Sequence, residues 1–315
     1  MNNSKVFVLG ANGNFGLSMR KSLAQHHYQT IAISRSQTKD LGLPGESLVQ
    51  ADATAPELWP LSPKKGDVLV YAINPKYSQW EKYAFEYLDR ICRLAESKQL
   101  TICFPGNVYH LPTHSNHAID ETFEPHPRTL LGEIRLRMEQ RLQQASANGA
   151  QVIILRAGDF IAQDDETGSS WFSHLISSAK RKTIVRVPES PQTLHTWAYL
   201  PDLSENFVHL ISKRKQLGSF NCFHYQGLEF NFNQLLQSLD LQLKINVGKG
   251  LWSWTLLKAL ALVDKNMIGV LQMRYLWQQR LALDDSKLRA LLEPEQLYRQ
   301  SSLEDVLSAV LTVET

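Results

Sequence analysis

Three glycines near the N-terminus have the spacing of a phosphate-binding turn. The run VLGANGNFG at 8–16 follows a short apolar stretch and opens a segment with helical spacing of its apolar residues. The first glycine permits a tight turn, the second lets the backbone approach a diphosphate, and the third lets helix and strand pack closely. Amide groups at the start of a helix would face the anion, so the run predicts a dinucleotide site. The residues expected to bind the dinucleotide here are Gly10, Asn12, Gly13, Asn14, Phe15 and Gly16.

The residues after the second predicted strand indicate which dinucleotide binds. A binding unit specific for NAD usually carries an acid there, which holds the ribose 2′-hydroxyl, whereas this chain has Ser34 and Arg35. A 2′-phosphate would meet no carboxylate and could pair with the Arg35 guanidinium. NADP is therefore the favoured cofactor, and NAD is the alternative. Asp52, after the third predicted strand, either accepts a hydrogen bond from the adenine or caps a helix.

Short strands and longer helices, which must position these residues, alternate along the first half of the chain. The pattern predicts strands at 6–9, 30–33, 47–50, 68–72, 100–104 and 152–155, and amphipathic helices at 15–25, 79–97 and 131–144. This alternation indicates an α/β fold, a Rossmann-type doubly wound parallel sheet with a smaller C-terminal substrate lobe. We expect an NAD(P)-binding domain at 1–157 and a lobe at 158–315, with segments near 183–212 returning to the first domain.

The second half of the chain has a looser pattern. It predicts a strand at 183–187, a helix at 203–212, a strand from 218, a helix from 233 and a strand at 243–247. The most apolar stretch, 251–270, also carries charged residues, so a pair of amphipathic or buried helices is expected there rather than a membrane span.

Composition restricts the partners and the compartment. Of the 315 residues, 43% are hydrophobic and 20% are charged, which predicts a chain that is folded throughout. The formal net charge is only +2, so nucleic acid is not an expected partner. The three cysteines are scattered and lack metal-ligand spacing, and no secretion signal is recognised. We therefore expect a cytoplasmic protein with no metal site and no membrane partner.

Further motifs follow the glycine run in a set order. They are YAIN at 71–74, NVY at 107–109, ME at 138–139, LRAGDF at 155–160 and WAYLPD at 197–202. Their order and spacing resemble those of the extended and atypical short-chain dehydrogenase/reductases, the branch that includes nucleotide-sugar epimerases and dehydratases. The resemblance spans most of the chain. It implies a nicotinamide cofactor and the oxidation or reduction of a carbon centre.

The resemblance also implies a catalytic triad, which this chain lacks. Family members use a Tyr acid/base, a Lys that lowers the pKa of that Tyr and anchors the ribose, and a Ser or Thr that orients the substrate oxygen. Alignment on Glu139 puts Leu131 at the Tyr position and Arg135 at the Lys position, and alignment on Tyr109 puts 105–106 at the hydroxyl position. Arg135 could still bind a ribose hydroxyl or a phosphate, but it would not relay a proton.

Tyr109 is the candidate catalytic proton donor, with His110 and His114 close to it in the sequence. For each of these a packing or surface role is the alternative. Asn74 either binds the cofactor or caps a turn. The residues expected to contact substrate, which would suit a planar or anionic ligand, are Tyr77, Trp80, Asn107, His110, Trp171 and Arg186.

Arg156 and Asp159, after the sixth predicted strand, either hold a substrate or pair with each other. A homodimer through the helix at 79–97 is also expected, although the charged residues of that helix fit a solvated face equally well.

Two functions fit this sequence. One is an NADP-dependent oxidoreductase or epimerase that acts on a small molecule with a non-standard active site. The other is a catalytically silent NADP-binding regulator or scaffold. The second lobe favours the enzyme, whereas the loss of Tyr and Lys favours the regulator.

Overall fold

The computed structural model describes residues 4–112, 117–165, 170–182, 184–187, 190–244 and 247–312, with no side-chain description for 177–182, 184 and 186. The strands are β1 (Val6–Leu9), β2 (Thr30–Ser34), β3 (Glu46–Gln50), β4 (Val68–Tyr71), β5 (Thr101–Gly106), β6 (Gln151–Arg156), β7 (Asp159–Ile161), β8 (Ile184–Val187), β9 (His195–Tyr199), β10 (Phe220–His224), β11 (Leu228–Phe230) and β12 (Gly248–Leu251). The helices are α1 (Asn14–Gln25), α2 (Tyr77–Lys98), α3 (Leu130–Ala147), α4 (Trp171–Lys182), α5 (Leu200–Lys213), α6 (Phe232–Leu243), α7 (Trp254–Leu260), α8 (Asn266–Gln272), α9 (Tyr275–Gln278), α10 (Ser286–Leu292) and α11 (Leu303–Thr312).

A seven-stranded parallel sheet forms the centre of the molecule, in the order β10-β6-β5-β4-β1-β2-β3. The strand order reverses between β1 and β4, so a crevice opens where the carboxyl ends of these two strands diverge. Ligands of doubly wound sheets bind in such a crevice. The sheet confirms the predicted fold class.

Both faces of the sheet's central strands are covered by helices, and successive side chains of these strands point to opposite faces. In β1, Phe7 and Leu9 face the layer of α2 and α3, whereas Val6 and Val8 face the layer of α1 and α5. The central strands β1 and β4 are therefore continuous apolar runs rather than alternations, as expected for a covered parallel sheet.

The chain returns to the main sheet after it has entered the second lobe. The strand expected from residue 218 is β10, which pairs in parallel with β6 at the sheet edge. A smaller sheet of β11, β9 and β7 and a pair of β12 with β8 form the second lobe with α4, α6 and α11. The strand expected at 243–247 lies later, at β12, because α6 continues through Leu243.

The apolar stretch 251–270 forms the expected helix pair, α7 and α8, which pack against each other. The second of these helices also packs against α2 and α3 of the main layer. Within the described part of the chain, no helix combines the length and the apolar content needed to cross a bilayer.

Candidate functional site

The glycine loop leaves the amide end of α1 open. Gly10 has a φ of +89°, and a Cβ there would lie 2.7 Å from the carbonyl oxygen of Ala72, so no larger residue fits. Gly13 is the N-cap of α1, where no side chain accepts a hydrogen bond from the first turn and no acidic residue is present. A Cβ on Gly16 would overlap the carbonyl oxygen of Gly10. The first-turn amides are therefore available to an anion.

The side chains within the loop hold its shape. Asn12 donates hydrogen bonds to Ser36 Oγ (3.1 Å) and to the carbonyl of Gln37 (2.9 Å), which ties the loop to the segment after β2. Asn14 donates to the carboxylate of Asp165 in the second lobe, at 2.6 Å. The ring of Phe15 packs between Phe207, which is buried, and Phe160, which is partly buried. The backbone of the loop, rather than these side chains, is thus left to meet a diphosphate.

The end of β2 carries a free cation. Ser34 is buried, and its hydroxyl lies 3.4 Å from Ser36 Oγ. Arg35 is exposed, and its guanidinium forms no hydrogen bond or ion pair with any residue that the structure describes. Asp52 accepts hydrogen bonds from the amide (2.9 Å) and hydroxyl (2.8 Å) of Thr54, so it closes a turn. Arg35 is therefore an exposed cation at the carboxyl end of β2.

A cavity of about 1220 Å³ lies beyond the carboxyl ends of β4 and β5, next to the glycine loop. The helix pair α7 and α8 borders its other side. The cavity wall brings together the following predicted site residues: Gly13, Asn14, Phe15, Asn74, Tyr77, Trp80, Asn107, Tyr109, Arg135 and Trp171. His110 does not line it, the side chain of Arg186 lies outside the described atoms, and His114 lies outside the described residues.

A buried guanidinium without a hydrogen-bonded anion forms part of this wall. Arg135 is 8% exposed and stands over the rings of Trp80 (5.2 Å) and Phe104 (4.9 Å). Its Nε has no hydrogen-bond partner among the described residues. Burial lowers the pKa of Arg135, and the Glu139 carboxylate opposes this shift. Because two aromatic faces solvate a cation only partly, this wall is suited to receive an anion.

Neutral phenols surround this cation. The hydroxyls of Tyr77 and Tyr109 are 2.8 Å apart, and the buried hydroxyl of Tyr71 has no partner among the described residues. Burial raises the pKa of Tyr77 to about 12 and raises the pKa of Tyr109 well above its usual value. These phenols keep their protons at neutral pH and can donate, but not accept, a proton. Tyr109 is also held by its amide, which donates to Asn107 Oδ1 at 3.2 Å.

An aspartate–histidine pair, which the sequence analysis did not identify, also borders the cavity. His195 Nε2 lies 2.9 Å from the Asp159 carboxylate, and Nδ1 lies 3.2 Å from the carbonyl oxygen of Leu276. The imidazole stacks on Trp277 at 3.9 Å. A carbonyl can only accept, so His195 Nδ1 donates. Nε2 faces the carboxylate of Asp159, which is part of the cavity wall, so the pair lies at the edge of the cavity.

Arg156 pairs with Glu139 rather than with Asp159. It donates to the Glu139 carboxylate at 2.7 Å and to His224 Nε2 at 3.1 Å. His110 lies behind this pair, with Nε2 3.4 Å from the same carboxylate. Arg156 and His110 therefore belong to a buried structural cluster rather than to the cavity wall.

This cluster predicts acid sensitivity. His224 is fully buried, where it accepts a hydrogen bond from Arg156 and donates one to the Ile119 carbonyl. Burial and the nearby guanidinium lower the pKa of His224 to about 4. Unfolding below pH 6.5 therefore takes up a proton on His224, and stability falls from pH 6.5 towards pH 4 by about 3 kcal/mol. Urea unfolding across this range should show that fall. His224→Gln should flatten the slope by about one proton, whereas the exposed His27→Gln should not. An unchanged slope in His224→Gln would contradict the assignment.

Among the described residues, one group has the geometry of a metal site. Ligand atoms of His26, Glu205 and His209 all lie within 4.8 Å of one another. His26 follows the last residue of α1, whereas the glycine loop precedes its first residue. A helix of 12 residues is about 18 Å long. A metal ion bound there would be too far from the glycine loop to take part in chemistry at the cavity.

Comparisons with known proteins identify the fold. No family model matches the sequence, and no curated protein matches it. Among solved structures, the chain is similar to UDP-glucuronic acid 4-epimerase from Bacillus cereus in complex with UDP-glucuronic acid and NAD, at 16% identity over 97% of both chains and a TM-score of 0.74. It is also similar to L-threonine dehydrogenase from Phytophthora infestans, at 12% identity over 99% of this chain and 100% of that chain, with a TM-score of 0.75.

A UDP-galactose 4-epimerase matches at 13% identity over 98% of this chain and 97% of that chain, with a TM-score of 0.71. All three alignments include both the Rossmann sheet and the second lobe, because they extend over nearly the whole chain. The chain therefore has the same fold as these two epimerases and this dehydrogenase over nearly its whole length.

Proposed function

We propose that the protein is an NADP-dependent oxidoreductase or epimerase that acts on a small molecule carrying an anionic group. The observation that carries this proposal is the buried guanidinium of Arg135 in the wall of a large cavity, whose Nε has no hydrogen-bond partner among the described residues. That cavity begins at the open amide end of α1. A cofactor cradle, a substrate cavity and proton donors thus meet at the carboxyl edge of one sheet.

The residues of the glycine loop fit a dinucleotide. Gly13 places an open helix terminus where a diphosphate would bind, and Arg35 offers a charge to a 2′-phosphate. A bound nicotinamide group would exchange a hydride with a substrate carbon. Asn74 borders the cavity between these groups and can donate a side-chain hydrogen bond to the cofactor. The solved neighbours include a complex with NAD, which supports a nicotinamide dinucleotide.

The substrate side of the cavity favours an anionic ligand. Arg135 would pair with a carboxylate or phosphate, while Trp80 confines its guanidinium from one side. The solved neighbours include a complex with UDP-glucuronic acid, which carries both kinds of anionic group. Trp171, at the start of α4 in the second lobe, also lines the cavity and offers a flat surface to a ring. These features support a substrate of the nucleotide-sugar type without specifying its sugar.

Proton transfer would use groups that differ from the usual Tyr and Lys. Tyr109 is protonated at neutral pH, and it can donate to a developing alkoxide when the Tyr77 hydroxyl donates the hydrogen bond between the two phenols. The Asp159 carboxylate, which is paired with His195, is a second polar group at the cavity edge. Leu131, which stands at the position of the usual Tyr, is buried in the core and takes no part in this proton transfer.

Tyr109→Phe tests the proposed proton donor. We expect kcat to fall by about 100-fold or more, since general acid catalysis contributes on this order, while the affinity for NADPH stays unchanged. The matched control is Tyr83→Phe on the outer side of α2. Steady-state turnover of the substrate found by screening provides the measurement. Unchanged turnover in Tyr109→Phe would remove Tyr109 from the mechanism.

Arg35→Ala tests the preference for NADP. A charge-assisted hydrogen bond to the 2′-phosphate contributes about 1.5–3 kcal/mol, so the affinity for NADPH should fall by about 10- to 100-fold. The affinity for NADH should not change, because NADH lacks that phosphate. Calorimetric titration of both cofactors gives the answer, with the exposed Lys65→Ala as control. Equal affinities of the unmodified protein for NADH and NADPH would rule out this role of Arg35.

A catalytically silent regulator is the second candidate, and the absence of the usual triad favours it. A screen of nucleotide sugars and other anionic metabolites, followed both by NADPH absorbance in both directions and by chromatography of the products, separates the two functions. Oxidation, reduction or epimerisation of any of them establishes an enzyme. Tight NADPH binding without turnover, together with a cofactor-dependent change in assembly, would establish the regulator.

A further inference from the structure

The helix pair α7 and α8, with the turn between them, concentrates the exposed apolar surface of the molecule. Of the twelve large apolar side chains that are exposed in the described residues, six lie between 251 and 268. At the turn itself Leu262 is 87% exposed and Val263 is 84% exposed. The others are Leu251, Leu256, Leu260 and Ile268. Soluble monomers seldom expose apolar side chains so close together, and such patches usually contact something.

The surroundings of this patch are cationic and aromatic. Within residues 249–268, Lys249, Lys258 and Lys265 are exposed, against one exposed carboxylate at Asp264. At its base, Trp254 lies under the Arg274 guanidinium at 4.6 Å. Exposed apolar residues with flanking lysines and half-buried tryptophans are the composition of protein segments that lie in a lipid interface.

The patch continues into the mouth of the cavity. Leu251 and Leu256 are exposed, and both also line the cavity. Met267 and Val270 line it from the second helix of the pair. An apolar path therefore runs from the outer surface of the helix pair to the interior of the site.

The helix pair is fixed to the main layer. The hydroxyl of Ser78 donates to Asn266 Oδ1 at 3.0 Å, and Gly269 packs directly against the ring of Tyr77. A side chain at residue 269 would overlap that ring, so the close contact requires glycine. The exposed turn thus projects from a fixed base that holds it at one place relative to the cavity.

We propose that the turn between α7 and α8 inserts into an anionic lipid surface and holds the mouth of the cavity against it. A projecting turn with Leu262 and Val263 at its tip suits penetration of a headgroup layer better than a flat contact with another protein. Self-association across a two-fold axis would bring the patch lysines of two copies together, whereas anionic headgroups would pair with Lys258 and Lys265. The sequence argues against a membrane span in this stretch, but a surface contact needs no span.

Sedimentation with vesicles tests this proposal on the full chain. Vesicles of phosphatidylcholine with phosphatidylglycerol should bind the protein on the order of tenfold more tightly than phosphatidylcholine alone. The double variant Leu262→Ser with Val263→Ser should bind at least about tenfold more weakly, since it loses two apolar insertions. The matched control is Leu58→Ser with Leu241→Ser, which removes two side chains of similar exposure (72% and 73%) from outside the patch and should bind normally.

Three results would overturn the proposal. The unmodified protein does not sediment with either vesicle, the patch variant binds as tightly as the unmodified protein, or both double variants lose binding equally. A fourth result assigns the patch to another occupant: a dimer in solution that the patch variant dissociates would identify a second copy of the chain. Calorimetric titration with NADPH is done on the same samples, because it reports the cofactor site separately. The vesicle result therefore does not depend on the proposed function.

Discussion

Replacement of Gly13 by valine is expected to abolish dinucleotide binding while the fold persists. Gly13 has an extended backbone, with φ −75° and ψ 159°, which valine adopts readily. A Cβ there would meet its nearest neighbours, the carbonyl oxygens of Gly10 and Ala72, at 3.4 and 4.0 Å, which are ordinary contacts. The two methyl groups would stand beside the amide end of α1, where a diphosphate must approach closely. We expect a loss of affinity for NADPH of at least about 100-fold, which calorimetric titration measures.

Two other glycines separate this effect from a general loss of stability. Gly218→Val places a side chain where only Asn221 lies within 4 Å, far along the chain from the loop, and should leave both affinity and melting temperature unchanged. Gly16→Ala forces a Cβ into the Gly10 carbonyl, so it should lower the melting temperature as well as the affinity. If Gly13→Val binds NADPH normally, the loop holds no diphosphate and the proposed function fails.

Arg135→Met is expected to remove turnover without making the free protein less stable. The guanidinium of Arg135 is buried against two aromatic rings without a hydrogen-bonded carboxylate, so its desolvation is not offset by a strong partner. Methionine fills a similar volume without a charge. We expect the free energy of unfolding to stay equal or to rise by up to about 2 kcal/mol. We expect kcat/KM for an anionic substrate to fall by about 100-fold, because the charge-assisted hydrogen bonds are lost.

The control for this prediction is Arg137→Met on the same helix. Arg137 is exposed and lies over the ring of Phe85, so its removal should change neither turnover nor stability by a large amount. Urea unfolding and steady-state kinetics on both variants are sufficient. A loss of several kcal/mol of stability in Arg135→Met, with normal turnover, would show that the guanidinium supports the core instead of a ligand.

The sheet and the glycine loop could be predicted because their signals are local. In β1 the buried residues are adjacent in the chain, and Gly10, Gly13 and Gly16 lie within seven positions of one another. The ends of α2 and α3 differ from the predicted ends by three residues or fewer, since apolar spacing continues to the last turn of each helix. The role of β10 was missed because an apolar strand reads the same in a central sheet as in a lobe.

The polar pairs of the site could not be predicted, because their partners are distant in the chain. Asp159 meets His195, 36 residues away, and Arg156 meets His224, 68 residues away. Pairing of Arg156 with Asp159 was one of the two expected roles, because these residues are close in the sequence. Arg156 ends β6 and Asp159 begins β7, so the turn between the strands places their side chains in different environments. Both pairs form because the fold brings distant segments together, and the spacing of residues along the sequence does not predict this.

The position of β10 makes the cofactor half and the substrate half inseparable. A fragment ending at residue 157 would keep the glycine loop but would lose the strand that covers β6. The edge of β6, which includes Val152 and Ile154, would then lack its partner strand. This apolar edge would pair with other chains, and the fragment would aggregate. A protease that nicks the second lobe therefore cannot release a working nucleotide-binding module. Transfer of this half of the chain to another protein during evolution would therefore have to include β10 as well.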